Sequence, residues 1–142
     1  MLTTISKRFR WEMGHRLPQH DGLCKNLHGH SYAMKVFLTG EPDSSGMVMD
    51  YFDVTSLVAP LIAELDHAFI ADKHDTEVVS FLTANNLKMV VIDVPTTAEN
   101  LAVYALQFVL SKLPKQHTLV KVALSIQETE KTSAFIEHIF SK

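Results

Sequence analysis

The residues with the most chemistry to offer lie close together in the chain. Cys24, the single cysteine, stands four residues before His28, and "CKNLHGH" ends in the pair His28 and His30. A further histidine, His15, closes the earlier stretch "EMGH". Side chains two apart on a strand point the same way, so His28 and His30 can reach one ion together. If His15 ends one strand and His28 begins the next, an antiparallel hairpin makes those ends neighbours and gathers three imidazoles. Gly29, between the pair, leaves the opposite face bare and lets the backbone fit closely. Three neutral imidazoles suit Zn²⁺ best among common metals, with nitrogens at about 2.0–2.1 Å and a fourth position open. His20, in the intervening loop, is the reserve ligand.

Cys24 admits two readings. As a fourth ligand it closes a tetrahedral structural site with no room for substrate. As a non-ligand beside the ion it is a candidate base, and Cys24→Ala separates the two: a ligand takes the metal with it, a base leaves the metal and loses turnover. With eight histidines in 142 residues, a His-x-His pair alone carries little weight; its place at a hairpin end gives it more.

Two further groups stand apart from this stretch. In "ELDHAF", Asp66 and His67 follow a helical pattern. They read equally as a solvated helix C-terminus, where the dipole favours histidine, and as a carboxylate-tuned imidazole able to pass protons near neutral pH. Glu128 ends "ALSIQE", closing an apolar row of Leu124 and Ile126 with an acid. At a strand end that is ordinarily a solvated carboxylate. Buried, it could accept two parallel hydrogen bonds from an amidine-like edge, such as a pterin or guanine ring presents.

These groups need elements to hold them. "TISKRFRWEMGH" and "HGHSYAMKVFLTG" alternate with period two and read as strands, Lys7 being the exception on an otherwise apolar side. From Asp53, as N-cap, the spacing of Val54, Leu57, Val58, Leu61, Ile62 and Leu65 predicts an amphipathic helix, with Pro60 a blemish inside it. A second helix runs from the N-cap Thr97 through "AENLAVYALQFVLSKL" to Pro114. Between them, "ADKHDTEVVSFLTANN" is expected to be part helical and "LKMVVIDV" a short strand. "TLVKVALSIQE" and "SAFIEHIFS" flank the polar turn "TEKT" as a hairpin. The order predicts one α+β domain over 1–142: a four-stranded antiparallel sheet with two helices on one face, ββααββ. Its two open edges call for cover, and an oligomer joining edges supplies it.

Composition sets the outer limits. Hydrophobic residues make up 46% and charged residues 20%, as in a folded soluble domain, and the net charge of -3 argues against a general nucleic-acid binder. "MLTTISKRFRW" turns basic where a signal peptide needs its apolar core, and no apolar run has membrane-helix length. A lone cysteine excludes a disulfide framework within one chain, and a reducing cytoplasm is the simplest expected location.

Taken together and in this order, the motifs resemble the 6-pyruvoyl-tetrahydropterin synthase family over nearly the whole chain. The bacterial branch that makes 6-carboxy-5,6,7,8-tetrahydropterin for queuosine is the nearest in pattern. "RFRWEMGHRLP" and "CKNLHGHSY" are similar to the family's metal and cysteine segments, "LDHAF" to its Leu-Asp-His motif, "TTAENLAVY" to its Thr-x-Glu-Asn helix start, and "SIQET" to the strand with its pterin-anchoring glutamate. Compact bacterial members lack much of the sequence between His67 and Thr97. A sister branch has glutamate in place of the cysteine, and Cys24 argues against it.

The resemblance implies a tunnelling fold in which sheets of several copies pair into a β-barrel, as a hexamer (a dimer of trimers) or a tetramer, with active sites at subunit interfaces. It implies zinc on His15, His28 and His30, Glu128 on the pterin, and Cys24 as base, with Asp66 and His67 relaying a second proton. The expected substrate is 7,8-dihydroneopterin triphosphate, with no nucleic-acid or membrane partner. The expected products are 6-carboxy-5,6,7,8-tetrahydropterin, triphosphate and acetaldehyde. Two alternatives stand beside this: a 6-pyruvoyl product without carbon–carbon cleavage, and a non-catalytic zinc-stabilised binding module.

Overall fold

Two long strands frame the site in the computed structural model, which describes residues 1–141. β1 (Thr3–His15) and β2 (His28–Gly40) pair antiparallel from Thr3 opposite Gly40 to His15 opposite His28. The apolar residues of their shared face, among them Trp11, Met13, Tyr32, Met34, Val36 and Leu38, are buried. Lys7 breaks the apolar row for a local reason: its ammonium reaches the Tyr51 carbonyl and the Thr55 hydroxyl of the helix above.

The remaining elements are α1 (Tyr51–Leu65), β3 (Ala68–Asp72), α2 (Thr76–Ala84), β4 (Met89–Ile92), α3 (Ala98–Lys112), β5 (Leu119–Thr129) and β6 (Thr132–Ile139). The sheet order is β4-β3-β1-β2-β5-β6. The antiparallel quartet β1, β2, β5 and β6 is the sheet that the sequence pattern predicts. It is extended at one edge by β3 and β4, parallel to β1 and to each other, so the sheet has six strands and is mixed. β3 escapes periodicity because it is buried from both sides. Ala68 and Ile70 join the main core, while Ala71, with Phe69 packed beside it, joins a second cluster.

That alternation divides the helices. Val54, Val58, Leu61 and Leu65 of α1 and Leu101, Ala102, Ala105, Leu106 and Val109 of α3 pack on the main core. Val78 and Leu82 of α2 pack on Ala71 and Phe69, the opposite face of the sheet. The expected two helices do share one face, and the segment between them, expected to be part helical, supplies a third on the other.

Helix starts follow side-chain capping. Thr97 accepts from the Asn100 N–H at 3.2 Å, as expected of an N-cap. Asp53 is not the cap of α1: the helix begins earlier, capped by Asp50, whose carboxylate accepts from the Phe52 N–H at 2.8 Å. Asp53 lies in the first turn, where its charge suits the helix dipole. α1 continues through Pro60, which sits on its exposed side. Among the described residues no helix is long and apolar enough to cross a membrane.

Candidate metal centre and ligand pocket

The hairpin brings the three histidines together. His15 faces His28 across the β1–β2 pairing, and His30 lies one strand repeat further along β2 on the same face. Gly29 permits the close pairing, because a Cβ there would stand 2.9 Å from the Met13 carbonyl oxygen. One ring nitrogen from each of His15, His28 and His30 lies within 4.8 Å of the others. Neither Cys24 nor His20 belongs to that group, and His20 instead accepts a hydrogen bond from the Gly22 N–H at 2.9 Å.

Second partners orient two of the rings. His15 Nδ1 lies 2.8 Å from the Thr96 carbonyl oxygen, and His28 Nδ1 lies 2.7 Å from the Asn26 carbonyl oxygen. A carbonyl only accepts, so both Nδ1 atoms carry the proton and both Nε2 atoms present a lone pair. His28 Nε2 is buried with no partner among the described residues, and the Nε2 atoms of His15 and His30 stand 3.2 Å apart. Buried nitrogens left open toward a common point are what a cation would satisfy. Burial holds the His15 pKa down to about 4, with the neighbouring His28 and His30 adding to the effect against the Thr96 bond. His30 is lowered in the same way, by burial first and His28 second. His15 and His30 are therefore neutral near pH 7, the form that binds metal.

Glu128 reaches the same space from β5. Its carboxylate oxygens lie 3.8 Å from His15 Nε2 and 3.9 Å from His30 Nε2, and Tyr32 Oη donates to it at 3.5 Å. Burial raises the Glu128 pKa, and the charge of Glu99 on α3 adds to the rise. A half-buried carboxylate of this kind gains from a ligand that brings N–H donors.

Cys24 and the Asp66–His67 pair occupy other positions. Cys24 lies in a single 3-10 turn (Leu23–Lys25), half-buried, with its carbonyl accepting from the Leu17 N–H at 2.7 Å. Asp66 caps the C-terminus of α1, accepts from the Glu12 N–H at 3.0 Å, and pairs with His67 Nδ1 at 3.0 Å. The Glu12 hydrogen bond is the main reason the Asp66 carboxyl sits below its usual range, with His67 second. His67 has a left-handed backbone, φ 58, held by a hydrogen bond from its N–H to the Glu12 carbonyl at 2.7 Å. Its side chain is 77% exposed. Among the described residues no hydrogen bond joins Cys24 or His67 to the histidine cluster.

The sequence profile of the 6-pyruvoyl tetrahydropterin synthase family matches residues 4–138. The chain belongs to that family. It is 35% identical to the 6-carboxy-5,6,7,8-tetrahydropterin synthase of Haemophilus influenzae, over 88% of this chain and 92% of that protein. It is 34% identical to a probable enzyme of the same name from Halobacterium salinarum, over 88% of this chain and 80% of the relative. In fold it is similar to the 6-pyruvoyl tetrahydropterin synthase of Plasmodium vivax, with a TM-score of 0.81 over 99% of both chains at 16% identity. The α+β tunnelling fold of the 6-pyruvoyl tetrahydropterin synthase family is thus the fold of this chain.

Three contributors to the site escape a reading of the sequence. Thr96 is 2% exposed and orients His15 across 81 positions of chain. Only its place beside the N-cap Thr97 hinted at it. Tyr32 shares the strand parity of His28 and His30, which places it on their face but does not reveal its contact with Glu128 on β5. Glu99 lies within the quoted "TTAEN" stretch, but nothing local to it points at Glu128.

Proposed function

We propose that this chain is a zinc-dependent pterin enzyme converting 7,8-dihydroneopterin triphosphate to 6-carboxy-5,6,7,8-tetrahydropterin, with release of triphosphate and acetaldehyde. The observation that carries the reading is a half-buried carboxylate, Glu128, set 3.8–3.9 Å from two of three clustered histidines. On this reading an acceptor for a pterin edge adjoins the metal position. The similarity to enzymes named 6-carboxy-5,6,7,8-tetrahydropterin synthase supports the choice of product.

His15, His28 and His30 would hold the ion through the nitrogens left free of carbonyl partners. The chemistry zinc supplies when bound is Lewis acidity toward the side-chain hydroxyls of the substrate. Glu128 accepts two hydrogen bonds from the pyrimidine edge of the pterin, fixing the ring. Cys24 takes a proton from the substrate side chain, and His67, oriented by Asp66 through the 3.0 Å contact, relays the second. His67 is exposed and unconnected to its own cluster, which suits a site completed where sheets of two copies meet edge to edge.

The test is to incubate zinc-loaded protein with 7,8-dihydroneopterin triphosphate and determine product masses. 6-Carboxy-5,6,7,8-tetrahydropterin with acetaldehyde is the expected outcome. A 6-pyruvoyl product would keep the mechanism up to triphosphate loss and overturn the carbon–carbon cleavage. No turnover of any pterin triphosphate would overturn the assignment.

A further inference from the structure

Besides Thr96, the segment between His67 and Thr97 sends a charged side chain, Asp75, back to the residue that follows His15. Arg16, the residue after His15, makes a two-point ion pair with Asp75: Nε donates to Oδ2 at 2.7 Å and Nη2 to Oδ1 at 2.7 Å. Asp75 is 8% exposed. It is itself fixed, standing at the N-cap position of α2, with its N–H donating to the Asp72 carbonyl at the end of β3. α2 is seated on the sheet by Val78 and Leu82, so Asp75 is presented from a rigid element. Glu77 lies 3.7 Å from the same guanidinium but is 89% exposed and adds little.

Three consecutive residues are tied down at this point. His15 meets the Thr96 carbonyl through its ring, and the Arg16 carbonyl accepts from the Thr96 hydroxyl at 3.1 Å. The Leu17 N–H holds the carbonyl of Cys24 at 2.7 Å. The Arg16 fork is the only side-chain anchor of this strand end to α2 among the described residues. It therefore stands between a candidate ligand, His15, and the turn that carries Cys24. A two-point guanidinium–carboxylate pair fixes both distance and plane, which a single hydrogen bond does not.

We propose that Arg16 and Asp75 are a positioning pair for the metal centre, so that the segment between His67 and Thr97 supplies outer support for His15 and for the Cys24 turn. Neither residue touches the ion; both act by holding the backbone from which His15 projects. This rests on reading the three histidines as a metal site. Groups hydrogen-bonded directly to a ligand, as Thr96 is to His15, commonly change metal affinity by about 10–100-fold when removed. This pair stands one step further out, so the lower end of that range is expected.

The test uses full-length protein and zinc alone, with affinity measured by competition against a chromogenic chelator. Asp75→Asn keeps the size of the side chain and breaks the charged fork. Because a half-buried arginine left without its partner destabilises the fold, a second variant removes both charges, Arg16→Met with Asp75→Leu, and its thermal unfolding is followed in parallel. Both variants are expected to bind zinc about tenfold more weakly than wild type, the double variant doing so while unfolding cooperatively. The visible absorption of cobalt-loaded protein is expected to shift in both, reporting altered ligand geometry. Wild-type zinc affinity in Asp75→Asn, or its return in the double variant, would overturn the positioning role and leave the metal site standing. Failure of wild type itself to bind zinc would overturn both readings together.

Discussion

His15 Nδ1 lies 2.8 Å from the carbonyl oxygen of Thr96, and this single bond decides which nitrogen faces His28 and His30. It places the proton on Nδ1 and turns the Nε2 lone pair into the cluster. The ring is 1% exposed, and burial is what brings its pKa down to about 4.

A pH dependence follows. In the unfolded chain His15 titrates near 6.5, while in the folded, metal-free protein it stays neutral down to about 4. Between those values the unfolded state binds the extra proton, so stability falls as pH drops from about 6.5 toward 4 and is flat above. His30 acts in the same direction. Glu128 acts in the opposite one, since its raised pKa makes protonation easier in the fold. Chemical denaturation of wild type and His15→Asn across this range isolates the His15 part. The variant is expected to show a shallower downward slope, the remainder being that of His30, and identical slopes would remove the burial argument.

Removal of metal should leave the fold standing. The main core joins Met34, Leu61, Leu101, Leu124 and other apolar residues, and the histidine cluster meets it only at one end, against Tyr32. Chelation is expected to leave far-ultraviolet circular dichroism unchanged. Stability should fall by what site occupancy contributed, on the order of 3 kcal/mol at a hundredfold excess over Kd, and the melting temperature should fall with it. Unfolding on chelation would instead favour a zinc-stabilised binding module.

Cys24 lies outside the group of nitrogens that share one centre. Cys24→Ala is therefore expected to keep full zinc content while turnover falls by about 10²–10⁴, the usual range for loss of a positioned base. Zinc content by atomic emission decides the matter independently of activity. If the metal left with the sulfur, Cys24 would be a ligand and the catalytic reading of the site would fail.

How much of this was legible in the sequence depended on the range of the interaction. The period-two strands, the Thr97 cap and the hairpin meeting of His15 with His28 are local patterns, and each can be read directly. β3 is not, because a strand covered on both faces has no alternation to show. Asp50 and Asp53 look alike three residues apart, and only the true start of α1 separates them. Thr96 and Asp75 reach His15 and Arg16 from distant parts of the chain; Thr96 is marked only by its place beside the Thr97 cap, and nothing local marks Asp75. The spacing showed which residues could share a centre. The partners that aim them came only with the tertiary fold.

Glu128 carries the last prediction. Its half-buried carboxylate has a raised pKa and one long hydrogen bond, from Tyr32, so much of its acceptor capacity is unspent. A ligand edge with two N–H donors would fill that capacity, and hydrogen bonds to a charged group are worth about 1.5–3 kcal/mol each. Glu128→Gln keeps the shape but replaces one acceptor oxygen with a donor that opposes the incoming N–H. Titration of the zinc-loaded protein with a pterin is expected to show binding weakened by at least about tenfold, with zinc content and melting temperature close to wild type. The Gln variant should fare no better than Glu128→Ala, since the wrong donor costs as much as an absent acceptor. Unchanged pterin affinity in both would leave Glu128 a solvated strand-end carboxylate, and the ring would need another anchor.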